Sequence, residues 1–314
     1  MRVLDAAAVA AALPFDRLIA ALRERFAAGC EVPPRHVHQI RGAHGETLTS
    51  LLMPAWTTSG QGGERYGVKI INIAPGNAAR GLPGLHASYL LHDARSGVPL
   101  ALLDGNELTA RRTAAASALA ASWLARADAR HLLVVGAGRV ASMVPLAYRE
   151  VRPLDRVSVW ARRSDAAQQL AQRLRAQGLA ASAVGGLDAA LAAADMVSCA
   201  TLATTPLVHG RQLQPASHLD LIGSFTPQMR EADDDALRGA AVYVDTPEAL
   251  DKSGDLLDAL ASGALGRGEV RGTLEQLARG QVDARRSAHE RTVFKSVGSA
   301  LEDLAAAMLA VGPA

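Results

Sequence analysis

The stretch LLVVGAGRVA, residues 132–141, restricts the fold of this chain more than any other segment. An apolar run of strand length leads into Gly136-x-Gly138-x-x-Ala141, where a helical pattern begins. In such a motif the first glycine permits a tight turn, the second lets the backbone approach a pyrophosphate, and the small third residue lets helix and strand pack closely. The helix N-terminus adds N–H donors and a positive dipole. The stretch predicts a dinucleotide site, against the alternative of a glycine turn that binds no ligand.

Apolar runs of strand length recur from residue 131 onward, and helical patterns such as 164–177 separate most of them. Strands that alternate with helices indicate βαβ units and a parallel sheet. An alanine-rich helix at about 107–127 leads into the first of these strands. The predicted strands are 131–135, 156–160, 195–200, 218–222 and 241–245.

The first hundred residues follow a different order. A helix at about 14–28 is followed by strand-like segments joined by turns, which predicts a separate, largely antiparallel sheet. The tail, 295–314, is again helical and is expected to pack on this part. We therefore predict an α/β fold, with a Rossmann-type parallel-sheet domain at 116–294 and an N-terminal α+β domain at 1–115 that the C-terminal helix 295–314 joins. The strands predicted for the N-terminal domain are 35–40, 47–53, 67–73, 86–92 and 98–103.

Charge and cysteine content exclude several classes of function. The 33 basic and 31 acidic residues leave a formal net charge of +2, which is too balanced to predict a nucleic acid partner. The two cysteines, Cys30 and Cys199, lie far apart in sequence, so a disulfide framework is not expected and a reducing compartment fits. The N-terminal segment does not resemble a secretory signal, and no apolar run reaches the roughly 18 residues of a membrane span. We predict a cytoplasmic protein that binds neither nucleic acid nor membrane.

The end of the second Rossmann strand indicates which dinucleotide is bound. NAD sites usually carry an acidic residue there, which binds the ribose 2′-hydroxyl. This chain has Arg162, Arg163 and Ser164 instead, and its first acidic residue follows at Asp165. Guanidinium groups and a hydroxyl suit a 2′-phosphate, so NADP(H) is favoured, with NAD(H) as the alternative. The alternative is that the two arginines lie at the exposed start of a helix and bind no cofactor.

Lys69 places a positive charge in the apolar run 66–73, YGVKIINI. A charge buried alone is costly, so a buried lysine should have an anionic partner or a bound anion. The carboxylate of a bound substrate would be such an anion. The alternative is an edge strand from which the lysine reaches water.

Other chemistry finds little support. The chain has none of the sequence motifs of serine hydrolases, zinc peptidases or dithiol enzymes (G-x-S-x-G, H-E-x-x-H and C-x-x-C). His36 and His38 would lie on one face of a strand, but the sequence indicates no third ligand. We therefore predict no metal site.

Five segments together resemble the ornithine cyclodeaminase/mu-crystallin family, and the resemblance runs from about residue 30 to 308. It implies a Rossmann domain and an N-terminal domain for substrate binding and dimerisation, and hence a homodimer. The segments are GVKIINIAPGN, LLDGNELTARRTAAASALAA, VVGAGRVA, LIGSFTPQMREADDDAL and FKSVGSALEDLAAA.

The resemblance also implies roles for individual residues. Arg35, Lys69 and Arg112 would hold the carboxylate of a small cyclic imino acid beside the nicotinamide, with Lys69 as the catalytic residue and a candidate proton donor. Thr113 would approach the cofactor phosphates. The full set of predicted cofactor contacts is Arg112, Thr113, Gly136, Gly138, Arg139, Val140, Arg162, Arg163, Ser164, Thr201, Gly223, Ser224 and Lys295.

One position separates the branches of this family. Cyclodeaminases carry an aspartate in the glycine-rich turn after the fourth Rossmann strand, whereas the matching residue here is Phe225. A phenyl ring can neither ionise nor move a proton, and Asp220 lies inside the strand in a different register. The segment instead resembles ketimine reductases, which convert Δ1-pyrroline-2-carboxylate and Δ1-piperideine-2-carboxylate to L-proline and L-pipecolate. The alternatives are an ornithine cyclodeaminase, an alanine dehydrogenase-like enzyme and a non-catalytic, NADPH-binding mu-crystallin-like protein.

Overall fold

The computed structural model describes residues 1–42, 45–57 and 64–312. The chain divides into two compact units. Unit 1 comprises Met1–Arg112 and Ser299–Ala314, and unit 2 comprises Thr113–Gly298.

The helices and strands of unit 1 come from both ends of the chain, and the division between the units falls within α3. They are β1 (Arg2–Leu4), α1 (Ala6–Ala12), α2 (Phe15–Ala28), β2 (His36–Arg41), β3 (Thr47–Trp56), β4 (Arg65–Ile73), a short 3-10 helix (Pro75–Arg80), β5 (Leu85–Asp93), β6 (Pro99–Asp104), α3 (Gly105–Leu124) and, after unit 2, α11 (Ala300–Val311).

The strands of unit 1 form one sheet with the order β1-β6-β5-β4-β3-β2. β2 to β6 pair antiparallel, while the short β1 joins β6 in parallel. The largely antiparallel sheet predicted from the sequence is thus confirmed. In β4 the side chains alternate between buried and half-buried, because successive residues of a strand point to opposite faces. The apolar α11 packs against the buried face.

The elements of unit 2 alternate between strand and helix along most of its length. They are β7 (His131–Val135), α4 (Arg139–Tyr148), β8 (Arg156–Trp160), α5 (Ser164–Ala176), β9 (Ala181–Ala183), α6 (Leu187–Ala193), β10 (Met196–Cys199), β11 (His218–Leu221), α7 (Asp234–Leu237), β12 (Ala241–Val244), α8 (Ala249–Lys252), α9 (Gly254–Ser262), β13 (Val270–Thr273), α10 (Leu274–Ala278) and β14 (Thr292–Lys295), with 3-10 turns at Gly210–Gln212 and Arg267–Glu269.

The sheet of unit 2 has the order β13-β12-β14-β11-β10-β7-β8-β9, and all of its strand pairs are parallel. The Rossmann-type parallel sheet predicted from the sequence is confirmed. β7 lies between β8 and β10, so the order of the strands reverses beside it. In open parallel sheets, ligands bind outside the carboxyl ends of the strands at such a reversal.

The sequence analysis missed three strands of this sheet, β9, β13 and β14. Buried parallel strands are recognised as continuous apolar runs, and the segments ASA, VRGT and TVFK are too short or too polar for that. The helical tail predicted from residue 295 is wrong at its start, because Lys295 ends β14 and the helix begins at Ala300. Ser299 caps this helix, its Oγ accepting a hydrogen bond from the Leu301 N–H.

Gly67 in β4 provides the space that a large side chain of β5 needs. Tyr89 is fully buried, and a Cβ atom at position 67 would lie 2.1 Å from its hydroxyl oxygen. The glycine is therefore required by the packing of its neighbour and not by an unusual backbone conformation.

We predict that Gly67→Ala destabilises the protein by about 1–3 kcal/mol, because overpacking a tight interior forces side chains and backbone to shift. Urea denaturation followed by circular dichroism measures the loss. The matched control is Gly76→Ala, since an added Cβ there has no neighbour within 4 Å. Equal stability of the two variants would contradict this account of the packing.

Candidate active site

Lys69 of β4 lies inside the sheet of unit 1 and is only 1% exposed. Its Nζ lies 2.6 Å from Oδ2 of Asp303, a fully buried carboxylate in the first turn of α11. The anionic partner expected for a buried lysine thus comes from the chain itself. The alternative of an edge strand is wrong, because β4 pairs with both β3 and β5.

Arg112 of α3 joins the same carboxylates. Its Nε donates to Oδ1 of Asp303 at 2.9 Å, and its Nη1 donates to Oε2 of Glu302 at 2.7 Å. All four side chains are at least nine-tenths buried. We call Lys69, Arg112, Glu302 and Asp303 the charge cluster. With every member ionised its charges cancel, since it contains two cations and two carboxylates.

The charge cluster alters the pKa values of its members. Burial lowers the pKa of Lys69 to about 8, although the Asp303 carboxylate opposes this change. Burial alone would raise the pKa of Asp303, but Lys69 and Arg112 hold it below its usual value. For Arg112, the effect of burial is outweighed by Asp303 and Glu302, which raise its pKa. Of Lys69, Arg112 and Asp303, Lys69 is the residue whose pKa lies nearest to neutral pH.

Arg35, the third cation predicted to hold a carboxylate, lies one residue before β2 and is half-buried. The next residue, His36, pairs with Leu52 of β3, which brings Arg35 level with Met53. Met53 in turn pairs with Lys69, so Arg35 and Lys69 stand in one row of the sheet, two strand spacings or about 9.5 Å apart. The structure joins Lys69 and Arg112 through a shared carboxylate, whereas Arg35 stands at the sheet edge.

In unit 2, five strands end at the same level. Val135 pairs with Trp160 and Cys199, Cys199 pairs with Leu221, and Leu221 pairs with Lys295. The predicted cofactor contacts at positions 136–140, 162–164, 201 and 223–224 follow these strand ends, so they gather along one edge of the sheet. Topology alone brings together residues that are far apart in sequence.

The glycine-rich turn has the geometry that a pyrophosphate requires. Gly136 has φ +123°, and a Cβ there would lie 2.6 Å from the carbonyl oxygen of Ala200. Gly138 is the N-cap of α4, and the space where a Cβ would stand is open. Arg139 begins the helix and is exposed, followed by the half-buried Val140. These residues fit a dinucleotide, whose phosphates the N–H groups at the helix start would bind.

A buried carboxylate ties two of the strand-end loops together. Oε1 of Glu231 accepts hydrogen bonds from the N–H and the hydroxyl of Thr201, both at 2.8 Å, and Oε2 accepts one from the Gly223 N–H at 2.6 Å. A Cβ at Gly223 would lie 2.0 Å from the Thr201 carbonyl oxygen, so only glycine fits there. Burial raises the pKa of Glu231 to about 7. The sequence analysis missed this residue.

Lys295 and Ser224, two further predicted cofactor contacts, bond to unit 2 itself. The fully buried Lys295 donates to the Leu221 carbonyl at 2.9 Å, and its Nζ lies 3.7 Å from Oδ2 of Asp255. The Ser224 hydroxyl donates to the Met229 carbonyl. These bonds hold the loop after β11 against its neighbours.

The residues predicted to distinguish NADP(H) from NAD(H) are exposed to solvent. Arg162, Arg163 and Ser164 are all exposed, after the end of β8 and at the start of α5. Thr113 is buried in α3.

Phe225 is 41% exposed in the loop after β11, where cyclodeaminases carry their aspartate. The nearest acid in sequence, Asp220, is fully buried and accepts hydrogen bonds from Ser117, Tyr148 and Ser198. Burial raises its pKa to about 6. Since three hydroxyl groups already surround this carboxyl, Asp220 does not replace the missing aspartate.

The described ranges, 1–42, 45–57 and 64–312, contain no group of three or more acidic, histidine or cysteine side chains that could hold a metal ion. His36 and His38 lie on one face of the exposed β2, with ring centroids 6.5 Å apart. Within the same ranges, no helix combines the length and the apolar character needed to cross a bilayer.

The sequence model of the ornithine cyclodeaminase/mu-crystallin family matches residues 3–311. The chain belongs to this family. The resemblance inferred from five short segments is therefore confirmed across nearly the whole chain.

Relatives within the family are similar over most of their length. A Δ1-pyrroline-2-carboxylate reductase of Paracoccus denitrificans is 44% identical over 260 residues, which cover 82% of this chain and 81% of the relative. The solved structure of a Thermococcus litoralis Δ1-pyrroline-2-carboxylate reductase, in complex with NADH and L-proline, superposes with a TM-score of 0.91 at 30% identity, covering 99% and 96% of the two chains. An archaeal alanine dehydrogenase dimer with bound NAD gives 0.89 at 27% identity, covering 99% and 95%.

Two members of the charge cluster, Glu302 and Asp303, were not predicted from the sequence. They lie in the segment SALEDLAAA, where two adjacent acids interrupt an otherwise apolar helix. This interruption is visible in the sequence, but it does not indicate which cations the acids contact.

Proposed function

We propose that this protein is an NAD(P)H-dependent ketimine reductase. It reduces Δ1-pyrroline-2-carboxylate to L-proline and Δ1-piperideine-2-carboxylate to L-pipecolate. The observation that carries the proposal is the likeness, over 99% of the chain, to a Δ1-pyrroline-2-carboxylate reductase whose structure contains NADH and L-proline. The 44% identity to the reductase of Paracoccus denitrificans supports it independently.

The charge cluster supplies the groups that bind the substrate carboxylate in this proposal. Lys69 and Arg112 retain N–H donors beyond those directed at Glu302 and Asp303, because an ammonium carries three and a guanidinium five. Arg35, in the same row of the sheet as Lys69, is the third cation assigned to the substrate. Holding the carboxylate fixes the ring, which is the main task of a protein when a cofactor carries the reactive group.

The proposed reaction takes up one hydride and two protons for each imine carboxylate. When held at Gly136 and Gly138, a reduced nicotinamide cofactor would supply the hydride that the ring carbon bearing the carboxylate accepts, while the C=N electron pair moves onto nitrogen. Lys69 donates a proton at the ring nitrogen, for which its pKa of about 8 is suited, because the amine is then largely protonated at neutral pH yet gives up a proton readily. The product amine is protonated a second time to give the zwitterionic amino acid.

In the proposed cofactor site, Gly136, Gly138, Arg139 and Val140 bind the pyrophosphate, and Thr113 also approaches it. Thr201 and Gly223, which Glu231 holds together, border the site at the next strand ends. The remaining assigned contacts are Arg112, Ser224 and Lys295. We further propose that Arg162, Arg163 and Ser164 bind the 2′-phosphate, so that NADP(H) is preferred.

The substrate class is tested by supplying wild-type protein with reduced cofactor and three substrates in turn. We expect loss of nicotinamide absorbance with Δ1-pyrroline-2-carboxylate, and little with pyruvate plus ammonia. L-ornithine with NAD should release no ammonia, because Phe225 provides no carboxyl group. Faster turnover with pyruvate and ammonia would instead identify an alanine dehydrogenase. Ammonia release from ornithine at a comparable rate would identify a cyclodeaminase, and no turnover at all would leave a binding protein.

For the cofactor preference, we predict that the double change Arg162→Ala and Arg163→Ala weakens NADPH binding about 10- to 100-fold, since each guanidinium contact to a phosphate is a charge-assisted pair. NADH, which lacks the 2′-phosphate, should change less than about threefold. Fluorescence titration of the reduced nicotinamide measures both constants. Arg173→Ala on the exposed side of α5 is the control. An equal loss for the two cofactors would refute the assignment.

We also propose that the protein is a homodimer that associates through the sheet of unit 1. On the face opposite α11, one row of paired residues is apolar across five strands. The row consists of Val3, Leu102, Leu90, Val68 and Pro54. Of the five residues in this row, Val3 is 72% exposed and the other four are half-buried. Rows of this kind mark interaction surfaces when they are contiguous. The archaeal alanine dehydrogenase with the same fold is described as a dimer.

Leu90→Asp should convert this dimer to a monomer, because the change would bury two unpaired carboxylates at a symmetric interface. We expect the dissociation constant to rise by about two orders of magnitude or more. Size-exclusion chromatography with light scattering gives the mass. Val98→Asp, in the exposed turn before β6, is the control. A monomeric wild type, or a dimeric Leu90→Asp variant, would contradict the proposal.

A further inference from the structure

The two carboxylates of the charge cluster, Asp303 and Glu302, contact different sets of cations. Asp303 serves two cations, with Oδ1 on Arg112 at 2.9 Å and Oδ2 on Lys69 at 2.6 Å. Glu302 contacts one of them, with Oε2 on Arg112 at 2.7 Å. Both acids therefore contact the arginine, and Asp303 also makes the ion pair with the lysine.

We propose that Asp303 is the positioning residue for Lys69, holding its ammonium charged and directed at the substrate, while Glu302 helps to position Arg112. The inference deepens the proposed function and rests on it. Neither acid needs to touch the substrate for this role.

The physical reason lies in the difference between the two cations. A lysine ammonium is a point charge on a flexible stem, and it loses its proton readily when buried without an anion. The 2.6 Å contact to Asp303 fixes the position of the ammonium and opposes that loss. A guanidinium stays protonated under all ordinary conditions, so Glu302 can affect only where Arg112 points.

The carboxylates come from a capped and buried helix of unit 1. α11 begins at a Ser299 cap, and its acidic first turn suits the positive end of the helix dipole. The residues from Ala300 to Ala307 are almost fully buried. A buried carboxylate on this helix has few alternative positions, so it favours a single position for the ammonium that it contacts.

The pH behaviour of Lys69 depends on the groups that face it. Tyr89, its partner on β5, has its pKa raised well above the ordinary value by burial, so it remains neutral when Lys69 titrates. Met53, its partner on β3, does not titrate. The charged or titratable groups around Lys69 are Asp303 and Glu302 on α11, Arg112 on α3 and Tyr89 on β5, with Tyr66 and Cys30 acting on Tyr89.

The test is the pH dependence of kcat/KM for Δ1-pyrroline-2-carboxylate. If protonated Lys69 is needed, activity of the wild type falls as pH rises through about 8. Asp303→Asn removes the anion that raises the pKa of Lys69, so this fall should move to lower pH by about one unit or more, with kcat reduced about tenfold or more. Glu302→Gln, the matched control, should raise KM about tenfold and move the fall less than Asp303→Asn does, because Glu302 raises the pKa of Lys69 less than Asp303 does.

Two further measurements separate positioning from folding. Binding of pyrrole-2-carboxylate, a planar anion without a basic nitrogen, is measured at a pH below the fall in activity of the variant. It should survive Asp303→Asn there, because the variant cluster has a net positive charge while Lys69 is protonated. Asp303→Glu keeps the charge but moves the oxygen by one methylene, so it should keep the pH dependence of the wild type while kcat falls.

An unshifted pH dependence in Asp303→Asn, or wild-type kcat in Asp303→Glu, overturns the inference even when the wild type reduces the imine. A wild type that does not reduce the imine overturns the proposed function instead. The two failures are therefore distinguishable.

Discussion

The ion pair between Lys69 and Asp303 is the interaction on which the meeting of β4 and α11 in unit 1 depends. Isolated, either charge would be expensive at full burial, so the strand that carries Lys69 and the helix that carries Asp303 must come together. Arg112 and Glu302 extend the pair into a neutral cluster and connect α3 to the same point. Such a cluster adds little to stability compared with an apolar core.

Unit 2 is organised by a different constraint, the common level at which its parallel strands end. This edge holds the tight turn at Gly136, the exposed arginines after β8 and the loops at Thr201 and Gly223. Glu231 fixes two of these loops through three hydrogen bonds, at positions where backbone donors would otherwise be unsatisfied. In the proposed function, cations of unit 1 would bind the substrate carboxylate and backbone groups of unit 2 would bind the dinucleotide.

The fold class could be predicted from the sequence because helices and strands leave periodic patterns of apolar residues along the chain. The GAGRVA turn and the apolar runs of unit 2 were readable in this way, whereas β14 was not, since TVFK ends in a lysine whose burial only its tertiary partners explain. The need of Lys69 for an anion also followed from its sequence context. The identity of that anion did not, because Asp303 lies near the other end of the chain and long-range pairing leaves no periodic signal. The specific roles of Arg35, Thr113 and the arginines after β8 remain predictions.

The most direct measurement of the central claim follows the hydride itself. The protein is given Δ1-pyrroline-2-carboxylate and a reduced nicotinamide that carries deuterium at the transferable position, and the proline formed is analysed by mass spectrometry and NMR. Imine reduction predicts one deuterium, on the α-carbon of L-proline. Proline without this deuterium, or no proline at all, would contradict the account.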